Sequence, residues 1–231
     1  MGFGGVKIAY PDKVLMDRLP QLIKMKPVVR IKEDLSSYEL KKAENITPVT
    51  WENLKHNNLI WSINEAGRIT CLPKPVDFVN ARADQIIFSS QLTDISTDAT
   101  FCKSTMFVCK KPRVIAAVHV SATHRDDLFF NKDLLLIGLV NIRKLVPTDP
   151  ISAYISGMSF PSGPRYDRGA GKFIRENRTL ILFEVQELLS RGVSIDVIDI
   201  GDLYEKQVYS PGTDEYNTYL FHSDLYPDSR Y

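Results

Sequence analysis

Apolar positions along the chain switch between the two-residue period of a strand and the 3.6-residue period of a helix. Gln85 to Ser89, Thr105 to Cys109 and Val114 to Val120 each predict a strand. Only the charged turn Lys110 to Arg113, with Pro112, separates the last two, so they predict an antiparallel hairpin. The period then lengthens. Leu135, Leu139, Ile142 and Val146 share one face of a helix that Asn131 can cap and Pro147 ends. Ala153 to Ile155 predicts a short strand, and a Gly-, Pro- and Ser-rich loop follows from Ser156 to Gly171. Ile181, Val185, Leu188 and Leu189 mark a second helix from about Asn177 to Arg191, with Gly192 at its C′ position. Ser194 to Ile200 predicts a strand. Gln207 to Tyr209 and Tyr216 to Phe221 predict a last hairpin around Ser210 to Asp214.

The first part of the chain is less regular. Val14 to Lys26 is interrupted by Pro20. Ser36 to Glu44 predicts a short helix with Ser36 or Ser37 as N-cap, and Thr50 caps another through His56. Leu59 to Ile63 and Arg68 to Cys71 predict a hairpin around Glu65, Ala66 and Gly67. Strands, helix, strand, helix and strands in this order predict an α+β fold, a mixed sheet flanked by helices. Residues 1–82 are expected to be an α/β extension packed on a main domain of residues 83–231, because no Gly/Ser/Pro-rich linker separates the two.

Composition narrows the function classes. With 231 residues the chain can bury a full core without metals or disulfides. A net charge of +1 gives no electrostatic footprint for nucleic acid or an acidic membrane surface. The apolar run Leu134 to Val140 falls far short of the ~20 residues that span a bilayer, so no membrane insertion is expected. Met1 to Lys7 does not have the pattern of a secretory signal, and 3 cysteines cannot all pair. A cytoplasmic protein with reduced thiols is the expectation.

One pair of residues stands out. Cys102 lies just before the first strand of the central hairpin and His119 near the end of the second. A hairpin brings these ends together, and a cysteine beside an imidazole can become a thiolate while the histidine shuttles its proton. A third group must orient the imidazole, and Ser96, Thr97 and Asp98 are the local candidates. The plainer alternative is a small buried thiol and a packed histidine. Cys102, Cys109, His119 and His124 could also form a metal set, but cysteines seven apart on one strand face opposite sides, and zinc pairs are usually two to four apart. Arg165, Arg168 and Lys172 in the glycine-rich loop could bind an anion. Gly2 to Gly5 does not sit between a strand and a helix as a phosphate loop would.

Five stretches in order, between Gln85 and Phe221, resemble the CheD family of chemoreceptor glutamine deamidases. They are Thr97 to Cys102 with Met106 to Cys109, Val114 to His119, Tyr154 to Phe160, Ile174 to Asn177, and Gly192 to Gly201 with Val208, Tyr209 and Gly212. The resemblance implies a β-sandwich flanked by helices and hydrolysis of a glutamine amide on a receptor helix. It makes Cys102 the nucleophile, His119 the base and Thr97 the orienting hydroxyl, with Ser96 as alternative. Ser96, Thr100, Phe101 and Gly157 would line the substrate site. No cofactor and no metal are implied. The expected partners are chemoreceptor cytoplasmic helices and a CheC-like phosphatase, and nucleic acid is not one of them. The sequence departs from the family pattern where small residues are usual: Thr100 and Phe101 precede the cysteine, Ile115 and Ala116 precede the histidine by a few positions, and Ser156-Gly157 replaces a glycine pair. A binding module that has lost catalysis is therefore the alternative. A remoter one is a laccase-domain-type nucleoside enzyme, although Ser121 to His124 does not match that family's segment after the histidine.

Overall fold

A computed structural model describes residues 7–9, 43–63, 68–98, 102–120, 128–157, 184–200 and 204–220. The central hairpin forms as its alternation requires. Strand β8 (Lys103–Lys110) pairs antiparallel with β9 (Arg113–Val120), in a register that sets Lys110 against Arg113 and Lys103 against Val120. Side chains on the two strands alternate between two separate cores. Phe107, Cys109, Val114, Ala116, Val118 and Val120 join one cluster, and Met106, Val108, Ile115 and Ala117 join the other. Both faces are buried, which is why these strands are apolar almost throughout.

The hairpin lies at the middle of a nine-stranded mixed sheet in the order β1-β11-β10-β8-β9-β6-β3-β4-β2. Its other members are β1 (Lys7–Ala9), β2 (Ala43–Ile46), β3 (Asn58–Ile63), β4 (Ile69–Lys74), β6 (Gln85–Ser89), β10 (Ile151–Gly157) and β11 (Val193–Ile200). A helix, α2 (Leu128–Leu145), and a helical segment over 184–190 supply Leu134, Leu135, Ile137, Leu139, Ile142, Val185 and Leu188 to the first core, so helices cover that face. The second core is closed by a four-stranded sheet, β13-β12-β7-β5, made of β13 (Glu215–Leu220), β12 (Tyr204–Ser210), β7 (Ile95–Asp98) and β5 (Asn80–Ala81). Tyr154 packs between Tyr209 and Tyr216 across the two sheets, with ring centroids 5.6 and 5.0 Å apart. Among the described residues the fold is α+β, mostly sheet with few helices. Among the described residues no helix is long and apolar enough to cross a membrane.

Several elements differ from expectation. Ala43 and Glu44 lie in β2, not in a helix, because parallel edge pairing with β4 sets Ala43 against Ile69 and Ile46 against Cys71. The rest of the expected helix, and the segment around Pro20, lie outside the described residues. Strand β10 runs on through Ser156 and Gly157, at the start of the expected loop, because it is paired on both sides, by β8 and by β11. Strands β5 and β7 have no counterpart in the sequence pattern. The short helix α1 (Trp51–His56) is capped as its sequence predicts, with Thr50 Oγ1 accepting from Asn53 N–H at 3.2 Å. Residues 43–63 and 68–74 join the main sheet edge to edge, where Leu59 pairs with Phe88 and Ser62 with Gln85.

Candidate functional site

The site lies where the start of β8 meets the end of β9, on the face toward the smaller sheet. Register sets Ser104 directly opposite His119, and both are buried, at 1% and 3% exposure. Parity with Met106 and Ala117, which join the second core, puts Ser104 and His119 between the sheets. Cys102 is two positions before Ser104 and only half-buried. At strand spacing, a residue two places along from a facing pair lies about 7–8 Å from its diagonal neighbour, within reach of aromatic and long side chains. Cys102 therefore immediately precedes the end of β8 that pairs with the His119 end of β9.

The imidazole is oriented by a backbone group from the smaller sheet. His119 Nδ1 lies 2.8 Å from the carbonyl oxygen of Ala81 in β5. A carbonyl only accepts, so in the neutral ring Nδ1 carries the proton and Nε2 is the nitrogen that can take one from a thiol. Thr97 is close by but differently engaged. It pairs in register with Ala81, is fully buried, and its Oγ1 lies 2.6 Å from both Ser104 Oγ and Gln207 Oε1. A hydroxyl has one proton. The amide oxygen can only accept it, so Thr97 donates to Gln207 and accepts from Ser104. This chain of hydrogen bonds ties the smaller sheet to the residue facing His119. Gln207 is itself fully buried, and its Nε2 has no hydrogen-bond partner among the described residues.

The remaining expected site residues fall as follows. Ser96, 4% exposed, bonds Asn80 Oδ1 at 3.2 Å. Gly157 ends β10 and pairs with Lys103, the residue after Cys102. Thr100 and Phe101 lie outside the described residues, as do His124, Arg165, Arg168, Lys172 and the glycines near the N-terminus. Cys109 belongs to the helix-side core while His119 faces the smaller sheet, so the two cannot share a metal ion. Among the described residues no group of three or more His, Cys, Asp and Glu side chains could hold one. Burial pushes the Cys71 thiol up to about 12, against a smaller lowering by the Thr47 backbone, and burial raises the Cys109 thiol too.

Sequence reasoning missed Ala81, Ser104 and Gln207. Ser104 was legible, since it lies two places before Met106 and so shares its face of the strand. Ala81 carries no side-chain signal, because the group it offers is a carbonyl. No protein-family model matches the chain, and no curated protein matches it.

Proposed function

We propose that the chain is a CheD-like protein-glutamine deamidase with Cys102 and His119 as its dyad. The observation that carries this reading is the register of β8 on β9, with His119 opposite Ser104, Cys102 two residues before it, and Nδ1 of the imidazole held by the Ala81 carbonyl. In the reaction, His119 Nε2 takes the thiol proton and Cys102 Sγ attacks the carboxamide carbon. The C–N bond breaks as His119 returns the proton to the departing nitrogen, which leaves as ammonia. Water, deprotonated by His119, then opens the thioester. Its C–S bond breaks, the new carboxylic acid is glutamate, and the thiol is restored. Backbone N–H groups near Cys102 would hold the oxyanion, an effect worth a few kcal/mol in comparable sites. The substrate would be a glutamine on a chemoreceptor cytoplasmic helix, and a CheC-like phosphatase a further partner, in the cytoplasm and with no cofactor.

The test is incubation with a receptor cytoplasmic domain, followed by intact-mass measurement. Each conversion adds about 1 Da, because an amide nitrogen is exchanged for oxygen through the covalent intermediate. Cys102→Ala should abolish the gain. No mass change with the unaltered protein sinks the proposal.

A second reading is a CheD-like module that docks on receptors without turnover. The burial of His119 and Ser104 favours it, since of these three residues Cys102 alone is half-buried. It expects capture of the receptor domain by the unaltered protein and by Cys102→Ala alike, with no ammonia released.

A further inference from the structure

The first residues of β8 alternate between the two faces, and Cys102 immediately precedes them. Ser104 belongs to the sandwich side, while Lys103 and Thr105 turn toward the helices. On the helix side both meet one carboxylate. Glu184, in the helical segment over 184–190, is ion-paired with Lys103 Nζ through Oε2 and accepts from Thr105 Oγ1 through Oε1 at 2.5 Å. All three are buried, at 7% exposure for Lys103, 5% for Glu184 and none for Thr105.

A buried ion pair is weak evidence of a stabilising device. Removing two charges from water costs about as much as their attraction returns, and a well-packed apolar replacement is often as stable. What the pair does supply is position. Both oxygens of Glu184 are used, on residues i and i+2 of one strand, and the residue before the first of these is Cys102. The opposite face is held too, by the Ser104, Thr97 and Gln207 chain. The strand start beside the thiol is therefore pinned from both sides.

We propose that Glu184 is a positioning residue for Cys102: it grips Lys103 and Thr105 and so fixes the pleat of the strand start that presents the thiol to His119. This rests on the reading of Cys102 and His119 as a dyad. The expected consequence appears without any substrate, in the reactivity of the thiol.

The experiment measures alkylation of Cys102 by iodoacetamide at neutral pH in the full chain, followed by peptide mass spectrometry to separate it from Cys71 and Cys109. Glu184→Gln keeps the volume and leaves the Lys103 charge unpaired. It should slow Cys102 alkylation about tenfold, the effect of a thiolate population reduced to a tenth, and lower Tm. The triple variant Lys103→Met, Thr105→Val, Glu184→Leu replaces the polar grip by apolar packing. It should recover most of the Tm and keep the slow rate. An unchanged or faster rate in Glu184→Gln, or a triple variant that recovers rate together with Tm, overturns the proposal. His119→Gln in the same assay separates the two readings. If it leaves the rate unchanged, the dyad itself is refuted, and the role of Glu184 with it. If it slows the rate while Glu184→Gln does not, only the positioning role is refuted.

Discussion

At Gly138 helix α2 packs closely on the sheet, and adding one methyl group there tests the packing that supports β9. A Cβ at this position would lie 2.8 Å from Val118 Cγ2 and 3.5 and 3.6 Å from two ring carbons of Phe107. Carbon atoms rest about 3.5–4.0 Å apart, so the two ring contacts are comfortable and the valine contact is not. Val118 has little room to yield. It is fully buried, stiff at χ1, and its strand is paired on one side with β8 and on the other with β6. The helix must back away, or Val118 must leave its rotamer. Overpacking of this kind costs roughly 1–3 kcal/mol. Against it stands the helix preference for alanine over glycine, about 1 kcal/mol. The clash is with a buried, branched side chain, not with the tip of a flexible one, so overpacking should outweigh the helix preference. Gly138→Ala is expected to destabilise by about 1 kcal/mol net, or roughly 2–4 °C in Tm for a chain of this size. Urea unfolding of Gly138→Ala, Val118→Ala and the double variant checks the cause as well as the sign. In the double variant the new methyl enters the space that valine vacated, so its loss should be smaller than the sum of the singles by about 1 kcal/mol. A stabilised Gly138→Ala, or strictly additive losses, would refute the argument.

Two further variants test the polar contacts. Thr97→Val removes a fully buried hydroxyl and strands Ser104 Oγ and Gln207 Oε1, so chemical denaturation should show a loss of about 1–3 kcal/mol. Because the His119 ring is held by Ala81, the same variant should slow Cys102 alkylation less than His119→Gln does. Asp214→Asn tests the contact between hairpin tips, where Lys110 Nζ lies 2.5 Å and Tyr209 OH 2.6 Å from the carboxylate. Burial raises the Asp214 carboxyl, but the hydrogen bonds from Lys110 and Tyr209 and the lysine charge outweigh it, and the net shift is downward. A lowered carboxyl contributes stability above its unfolded-state pKa and loses it as pH falls through the folded one. The variant should thus be weaker at pH ~7 and level with the unaltered protein well below pH ~4, where a reference aspartate is protonated. Both partners are nearly half exposed, at 48% and 45%, so the gap at neutral pH should stay under about 1 kcal/mol in urea unfolding. Asparagine suits the test because Asp214 has φ 60, a conformation it tolerates.

Legibility followed the source of each element's stability. The β8–β9 hairpin was plain in the pattern because its burial is two-sided and its turn is short, so both signals are local. Strand β7 is the contrary case. Ile95-Ser96-Thr97-Asp98 has one apolar residue and reads as a polar stretch, yet Ser96 and Thr97 are buried, at 4% and none. Their hydroxyls are satisfied by Asn80 and Gln207, the second of which is 110 residues from Thr97. Sequence period alone cannot show that a polar residue has a partner waiting across the fold. Strand β2 departs from its helical pattern for a related reason, since an edge strand takes its identity from the neighbour it pairs with and little from its own composition.

The same distinction runs through the site. Cys102 and His119 could be brought together on paper because one hairpin carries both, and the register needed is set by one turn. The group that orients the imidazole could not. Hydroxyl and carboxylate side chains near Cys102 were the visible candidates, and Thr97 is indeed in the neighbourhood, pairing with Ala81 across β5 and β7. But the atom on Nδ1 is a carbonyl oxygen, which every residue possesses, delivered by a two-residue strand 38 positions from the histidine. What selects it is the placement of β5 beside β7, and that depends on the smaller sheet being assembled. The carbonyl is also the group that point substitution cannot remove. The orientation of the His119 ring should therefore respond to changes in how β5 is seated, such as loss of the Asn80 contact with Ser96, more than to the identity of residue 81.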